Sequence, residues 1–161
     1  MLFRSGFFGK VVDLRTRTDL TQKRAEELLI VDFSSLPLDK AIVSVKGDGS
    51  RKLAVFSDPD CPYCKQLEKE LEGITNVTVH TFLLPLTNIH PDAVRKSEII
   101  WCSADRAAVY RDWMVNGKTL EGAHDCANPI MEIGELSKKL WIQGTPGMIF
   151  GSGKVVPGAI Q

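Results

Sequence analysis

Short apolar runs alternate with stretches of helical periodicity in the first half of the chain. Three runs have the length and composition of β-strands, at residues 41–45, 53–57 and 77–84. Between the second and the third, Leu67, Leu71 and Ile74 recur at steps of four and three residues, which predicts an amphipathic helix. A strand, a helix and another strand in this order form a β-α-β unit, whose strands pair in parallel through a right-handed crossover.

The second half of the chain is mainly helical before it returns to strands. Apolar clusters predict a helix over residues 92–116, and Asn128-Pro129 predict the start of another. The runs 148–150 and 154–156 flank Gly-Ser-Gly and predict a β-hairpin. The whole order is β-β-α-β, a helical block, then α-β-β. It predicts an α/β fold with a mixed central sheet and helices on both of its faces.

The residues before this domain carry weaker patterns. Residues 1–17 have no clear period and fit a short exposed strand or a tail. Thr18 and Asp19 precede an apolar stripe, which predicts a capped amphipathic helix over residues 20–30. The start of the chain lacks the pattern of a signal peptide, because Arg4 and two glycines interrupt its apolar run.

Composition excludes several classes of protein. The chain has 161 residues, of which 43% are hydrophobic and 25% charged, as expected for one globular domain with a short appendage. Its 20 basic residues balance 20 acidic ones, so no basic footprint for nucleic acid is present. No apolar stretch approaches the length of a membrane span. Four cysteines are too few for a small scaffold held together by disulfides. Because their number is even, they can form pairs.

The candidate chemistry lies at Cys61-Pro62-Tyr63-Cys64, directly after an apolar strand and at the start of the predicted helix. Pro62 suits the first helical turn, which places Cys61 at the helix N-terminus and Cys64 one turn inside. Unpaired N–H groups and the helix dipole favour a thiolate at Cys61. We therefore expect Cys61 to be exposed and to react much faster than Cys64. Cys64 can reach back to resolve a mixed disulfide at Cys61.

Two other interpretations of the cysteines are weaker but stay open. Four cysteines could bind zinc, although Cys102 and Cys126 do not form a close ligand pair. A purely structural bridge between Cys61 and Cys64 would close so short a loop that it would stabilise little.

Other chemistry-bearing side chains receive structural interpretations. His80 and His90 are expected to be strand or loop residues rather than bases, because a preformed thiolate needs no imidazole. The Asp58 and Asp60 carboxylates are expected to act as caps or turn residues. The three tryptophans sit at helical apolar positions and are expected in the core: Trp101, Trp113 and Trp141.

Four motifs in order resemble the DsbC/DsbG family of bacterial periplasmic disulfide isomerases, which have a thioredoxin-fold catalytic domain. They are Asp58-Pro59-Asp60-Cys61-Pro62-Tyr63-Cys64, Ile100-Trp101-Cys102-Ser103, Gly144-Thr145-Pro146 and Val155-Val156-Pro157-Gly158. The resemblance covers about residues 36–158. It implies a thioredoxin-like fold with a helical insertion.

The resemblance also implies roles for particular residues. Cys61 would be the attacking thiolate and Cys64 the resolving thiol. The Thr145-Pro146 peptide would be cis and would face the sulfurs, with the Thr145 backbone pairing with substrate. Substrate-binding residues would be Thr145, Pro146, Pro62 and Tyr63, and Cys102 and Cys126 would form a structural disulfide. No metal or other cofactor is implied.

The chain departs from the family pattern in ways that define its expected organisation. Residues 1–17 would be a remnant of an N-terminal dimerisation domain, 18–36 a linker helix and loop, and 37–161 the catalytic domain without its last helix. The family is homodimeric, but this fragment is expected to be monomeric. Pro62-Tyr63 is the dipeptide of many glutaredoxins, which leaves a net oxidase or a glutaredoxin-like reductase open as alternatives. A chaperone-like binding module of the same fold is a further alternative.

Partners and compartment follow from the same resemblance. Substrates would be misoxidised periplasmic proteins, and a membrane-bound DsbD-type reductase would be the electron donor. The expected location is the periplasm, and no nucleic acid partner is expected.

Overall fold

The structure, a computed structural model, describes residues 3–4, 11–14, 18–19 and 29–158. The strands are β1 (Phe3–Arg4), β2 (Val11–Asp13), β3 (Thr18–Asp19), β4 (Ile42–Lys46), β5 (Arg51–Ser57), β6 (Val77–Leu83), β7 (Gly147–Phe150) and β8 (Val155–Val156). The helices are α1 (Pro62–Leu71), α2 (Ala93–Cys102), α3 (Arg106–Met114) and α4 (Ile130–Lys139), with short 3₁₀ turns at Phe33–Ser35 and Leu38–Lys40. In this part of the chain no helix has the length and apolar character needed to cross a membrane.

Strands β4 to β8 form one mixed sheet in the order β4-β6-β5-β7-β8. The parallel pair predicted from the β-α-β pattern is confirmed as β5 and β6, and the other neighbours are antiparallel. Gly47 and Gly49, which lie between β4 and β5, form a turn with positive φ at both glycines. The strands that it joins are not neighbours, however, because β6 inserts between β4 and β5.

Strand β5 is central because both of its faces are apolar. Ala54 and Phe56 pack on one side with Ile133 of α4, and Phe56 stacks on Phe82 at 5.0 Å between ring centroids. The alternate residue Val55 packs on the other side with Leu71 of α1. Side chains alternate across a strand, so this pattern requires a layer of helices on each face, as predicted.

The long helix predicted over residues 92–116 is instead two helices, α2 and α3. The break occurs because Ser103 is extended and the Asp105 carboxylate accepts a hydrogen bond from the backbone N–H of Ala108, at 3.1 Å. That cap begins α3 in a new direction. The prediction for Ile74 was also wrong, since α1 ends at Leu71 and Ile74 is exposed.

The N-terminal residues that are described form a separate antiparallel sheet of β1, β2 and β3. Thr18 and Asp19 pair with Asp13 and Val12, so they are strand residues, whereas the sequence predicted a helix cap. Most of the predicted linker helix, over residues 20–28, lies outside the described residues. The assignment of residues 1–17 to a remnant domain stays a prediction.

The tryptophans divide between core and surface. Trp101 is buried, with the Arg106 guanidinium 3.7 Å from its ring centroid, as expected for a core residue. Trp141 is 68% exposed and has a positive φ of 58°. The core prediction fails for Trp141 because α4 ends at Lys139 and the chain turns before the apolar spacing can continue.

Candidate active site

The Cys61-Pro62-Tyr63-Cys64 segment forms the beginning of α1 as the sequence predicted. Cys61 is the N-cap residue in an extended conformation, and Pro62 occupies the first helical turn. The backbone N–H of Cys61 donates to the Asp58 carbonyl at 3.1 Å, and the Cys61 carbonyl accepts from Lys65 at 3.1 Å. These bonds hold the Cys61 sulfur over the open N–H groups of the first turn.

The two thiols of this segment differ in acidity. A hydrogen bond from the Cys64 thiol is the main cause that lowers the pKa of Cys61, to about 5, and the Thr145 hydroxyl and the N–H groups of Cys64 and Tyr63 lower it further. The same sulfur–sulfur hydrogen bond, together with burial, raises the pKa of Cys64. Near neutral pH, Cys61 is a thiolate while Cys64 keeps its proton.

The Thr145-Pro146 segment lies against the Cys61 sulfur. The peptide bond between the two residues is cis, and the Cys61 sulfur lies 3.6 Å from the Thr145 carbonyl oxygen, to which it donates only when it is protonated. Gly158 packs behind this segment with a φ of 110°, and a Cβ there would lie 2.3 Å from the Gly144 carbonyl oxygen. A glycine is therefore needed at this position for the segment to pass so close to the C-terminal strand.

The expectation that Cys61 is exposed was wrong. Its exposed fraction is 0% and that of Cys64 is 1%, because the Thr145 backbone and the buried cluster around α2 and α3 enclose both sulfurs. Pro62 and Tyr63 are the exposed members of the segment. The helix end thus presents Tyr63 to solvent while the reactive sulfur lies beneath the surface.

Asp58 organises the loop before the cysteines. Its carboxylate is fully buried and accepts hydrogen bonds from the backbone N–H groups of Asp60, at 2.7 Å, and Leu86, at 2.6 Å. His90 Nδ1 lies 3.0 Å from Asp58 Oδ2, the same oxygen that accepts from the Leu86 N–H. Asp58 is thus a turn residue as expected, but it also ties the loop to the chain after β6. His90 is a loop residue.

A cationic cluster adjoins the same loop. The Lys96 ammonium pairs with the Asp60 carboxylate at 2.5 Å and lies 4.9 Å from the Trp113 ring centroid, with Lys65 4.3 Å from that ring. The Trp113 indole N–H donates to the Pro59 carbonyl at 2.6 Å. Trp113 therefore fixes the loop from α3, and Lys96 neutralises the carboxylate next to Cys61. No local sequence pattern indicated this cluster, because the contacting residues are far apart in the sequence. Lys96 and Asp60 are 36 positions apart, and Trp113 and Pro59 are 54 apart.

Cys102 and Cys126 are joined in a disulfide with an S–S distance of 2.00 Å. The bridge ties the end of α2 to the irregular segment before α4. It leaves neither sulfur available as a thiolate for a metal ion, so a zinc site built on all four cysteines does not fit the structure. Among the described residues no group of three or more His, Cys, Asp or Glu is placed to hold a metal ion.

The acidity of Cys61 predicts a distinct alkylation profile. We expect the rate of Cys61 modification by iodoacetamide to fall as the pH drops through about 5, because the thiolate is then protonated. Cys64 should remain unmodified over the same range. Peptide mass spectrometry after timed quenching measures both rates.

The matched control for this titration is Cys64→Ala. It removes the hydrogen bond that contributes most to lowering the pKa of Cys61, so the midpoint should move upward toward the ordinary thiol range near ~8.5. An unchanged midpoint in Cys64→Ala would show that the helix terminus alone sets the acidity.

Comparison with known proteins identifies relatives of the whole described domain. The family model of the thioredoxin-like domain matches residues 38–161. The chain is 47% identical over 152 residues to "Probable thiol:disulfide interchange protein DsbC" of Bordetella parapertussis, covering 94% of this chain and 53% of that protein. It is 28% identical over 124 residues to the thiol:disulfide interchange protein DsbC of Escherichia coli, covering 75% and 52%. The chain thus spans about half the length of the curated relatives it matches.

A solved structure extends the comparison to the fold. The crystal structure of a disulfide interchange protein from Neisseria gonorrhoeae matches with a TM-score of 0.74 and 47% identity, over 78% of this chain and 89% of that one. The catalytic domain of Proteus mirabilis ScsC matches with a TM-score of 0.56 at 22% identity, which supports the fold alone. The chain therefore belongs to the thioredoxin-like domain family, and it is similar to thiol:disulfide interchange proteins of the DsbC type.

Proposed function

We propose that this chain carries out thiol:disulfide interchange on other proteins, breaking and rearranging incorrect disulfides through the Cys61 thiolate. The observation that carries the proposal is the position of Cys61 at the N-terminus of α1, where its pKa is lowered, with Cys64 one turn inside, where its pKa is raised. The similarity to interchange proteins supports it. Electrons pass between sulfur atoms, so the reaction needs no bound cofactor.

The reaction follows from the different acidities of the two thiols. The Cys61 thiolate attacks one sulfur of a substrate disulfide, forms a mixed disulfide, and releases the other substrate sulfur as a thiolate. Cys64 then loses its proton and attacks the Cys61 sulfur, which oxidises the pair and reduces the substrate by two electrons. When a substrate thiolate attacks first instead, Cys61 is released unchanged and the substrate disulfide has been rearranged. The low pKa of Cys61 favours this release because it makes Cys61 a good leaving group.

Substrate binding is assigned to the surface around the buried sulfur. Thr145 and Pro146 directly precede β7, which supports pairing of the Thr145 backbone with an extended substrate segment. Pro62 and Tyr63 supply the neighbouring surface, and Tyr63 is 56% exposed. The proposed substrates are misoxidised secreted proteins, whose extended segments can enter such a site.

The bridge between Cys102 and Cys126 supports an oxidising compartment, because such disulfides persist in secreted and periplasmic proteins. We place the protein in the periplasm on this ground and on its resemblance to the DsbC/DsbG family. A membrane-bound reductase of the DsbD type is the corresponding electron donor, since an isomerase must be kept reduced.

A net oxidase is the second candidate, and the acidity of Cys61 favours it. A stabilised thiolate stabilises the reduced pair and makes the disulfide form more oxidising. The reduction potential of the Cys61–Cys64 pair, measured against glutathione buffers, separates the two candidates. A value near roughly −120 mV indicates an oxidase, whereas one near or below about −180 mV indicates an isomerase or reductase.

The activity of this chain by itself can be predicted. We expect a monomer in sedimentation. Because all residues of the proposed chemistry lie within one copy, that monomer should reduce insulin disulfides in the presence of dithiothreitol. It should reactivate scrambled ribonuclease poorly, because a second linked site that would retain the substrate is lacking in a monomer. A tight dimer with full isomerase activity would contradict this prediction, and the absence of insulin reduction would contradict the proposed function.

A further inference from the structure

A chain of polar groups lies beside α1 on the side that faces α3, and the proposed chemistry leaves it unused. The Tyr110 hydroxyl lies 2.7 Å from Ser57 Oγ and 3.1 Å from Glu68 Oε1. Glu68 is one helical turn after Cys64 on α1, so the two side chains project from the same face. The chain of hydroxyls therefore connects a carboxylate to the surroundings of the resolving thiol.

The two hydroxyls lie in the same interior region as the Cys64 sulfur. Tyr110 and Cys64 belong to one buried cluster, and the negative charge of a Cys64 thiolate raises the pKa of Tyr110 further beyond the effect of its burial. Ser57 is 1% exposed and is the last residue of β5; the N–H of the next residue, Asp58, approaches the Cys64 sulfur. Both hydroxyls therefore lie in the buried surroundings of the Cys64 sulfur.

Glu68 has access to solvent on its other side. A cavity of about 260 Å³ is lined by Glu68 and Tyr110. Four other charged residues line this cavity. They are Lys46 of β4, Glu72 directly after α1, and two residues at α3, the N-cap Asp105 and Arg111. Glu72 is paired with Lys46 at 3.2 Å and with Arg111 at 2.5 Å, whereas Glu68 bonds to the Tyr110 hydroxyl. Burial is the main cause that raises the pKa of Glu68. A carboxylate with a raised pKa is a better proton acceptor than an ordinary one.

We infer that Glu68 accepts the proton that Cys64 loses during resolution, through the hydroxyls of Ser57 and Tyr110, and releases it to water in the cavity. This inference rests on the proposed function. The Cys64 S–H bond breaks, each hydroxyl passes on one proton, and a new O–H bond forms on Glu68. The Cys64 thiolate then attacks the Cys61 sulfur, the Cys61–Cys64 bond forms, and the substrate sulfur leaves with the electron pair of the mixed disulfide.

Glu68 is accordingly a positioning residue, since it acts on the reacting sulfur through two hydroxyl groups.

The test separates attack by Cys61 from resolution by Cys64. Reduced protein is mixed with a peptide disulfide, samples are quenched in acid at short times, and mass spectrometry counts mixed disulfide and oxidised protein. The variants are Glu68→Gln, which preserves side-chain volume, and Tyr110→Phe, which interrupts the chain while Glu68 stays in place. Glu72→Gln is the matched control, because it removes a neighbouring carboxylate from the same cavity.

We expect Glu68→Gln and Tyr110→Phe to slow resolution by roughly tenfold or more, within the range of general acid–base catalysis, while attack by Cys61 changes little. Mixed disulfide should accumulate in both variants and not in Glu72→Gln. Resolution in the wild type should level off with rising pH once Glu68 is ionised. In Glu68→Gln it should keep rising, because solvent base must then remove the proton.

Specific outcomes overturn the inference. Resolution at the wild-type rate in Glu68→Gln, or an equal loss in Glu72→Gln, would show that Glu68 does not accept the proton. If Glu68→Gln fails to fold, an unchanged resolution rate in Tyr110→Phe overturns it equally. A wild-type protein that never forms a mixed disulfide at Cys61 would overturn the proposed function itself, which distinguishes the two failures.

Discussion

Cys61→Ser should abolish disulfide reduction, whereas Cys64→Ser should leave attack intact and trap the substrate. A serine hydroxyl is not ionised near neutral pH even at a helix N-terminus, so the variant lacks the nucleophile that the lowered pKa of Cys61 provides. The loss should reach the rate of the uncatalysed exchange. Insulin reduction measures the first variant, and non-reducing mass spectrometry of adducts measures the second.

The pair of variants provides its own control, because each removes one sulfur from the same helix turn. Cys64→Ser retains the Cys61 nucleophile but has no thiol to resolve the adduct, so a stable mixed disulfide with Cys61 should form. Measurable catalysis in Cys61→Ser, or an adduct on any residue other than Cys61 in Cys64→Ser, would contradict the assigned roles.

Removal of the Cys102–Cys126 bridge should lower the free energy of unfolding by roughly 3–4 kcal/mol in the chain-entropy account. The two residues are 24 positions apart, and closing a loop of that length restricts the unfolded chain. The measurement is urea denaturation of the double variant Cys102→Ala/Cys126→Ala against the wild type. Insulin reduction per folded molecule should be retained, because the proposed electron transfer uses only Cys61 and Cys64.

The control for this loss is the single variant Cys102→Ala, which breaks the same bridge and should be destabilised by a similar amount. A decrease below about 1 kcal/mol in both variants would show that the unfolded chain gains little freedom when the bridge is absent. If insulin reduction per folded molecule falls together with the free energy of unfolding, the bridge supports the active site directly.

The β-α-β unit and the position of Cys61 could be predicted because both depend on short-range patterns. Apolar spacing identifies α1, and Pro62 within its first turn identifies the helix end that carries the thiol. The place of β4 could not be predicted in the same way. Its partner β6 lies about 35 residues further along the chain. Burial of the whole sheet selects this partner, and the glycine turn that follows β4 does not.

The polar groups around the thiols were missed for a related reason. Asp58 gave only the signal of a turn residue, although its carboxylate is completely buried and bonds to the Leu86 N–H. Glu68 has the appearance of an ordinary charged position on an amphipathic helix, and its partner Tyr110 lies 42 residues away. Such contacts are set by tertiary packing, which one sequence without its relatives does not display.

Enclosure of the Cys61 sulfur also determines how the protein survives in an environment rich in oxidants. An ionised thiolate is the form that peroxides convert to sulfenic and then irreversibly to sulfinic acid, and an accessible one is lost fastest. With 0% of Cys61 exposed and the Thr145 carbonyl 3.6 Å from its sulfur, a small oxidant meets no open surface at rest. In the proposed function, a protein substrate pairs with the Thr145 backbone and displaces that arrangement as it binds. The enclosure thus slows the reaction of the thiolate with small reagents such as peroxide between encounters with a substrate.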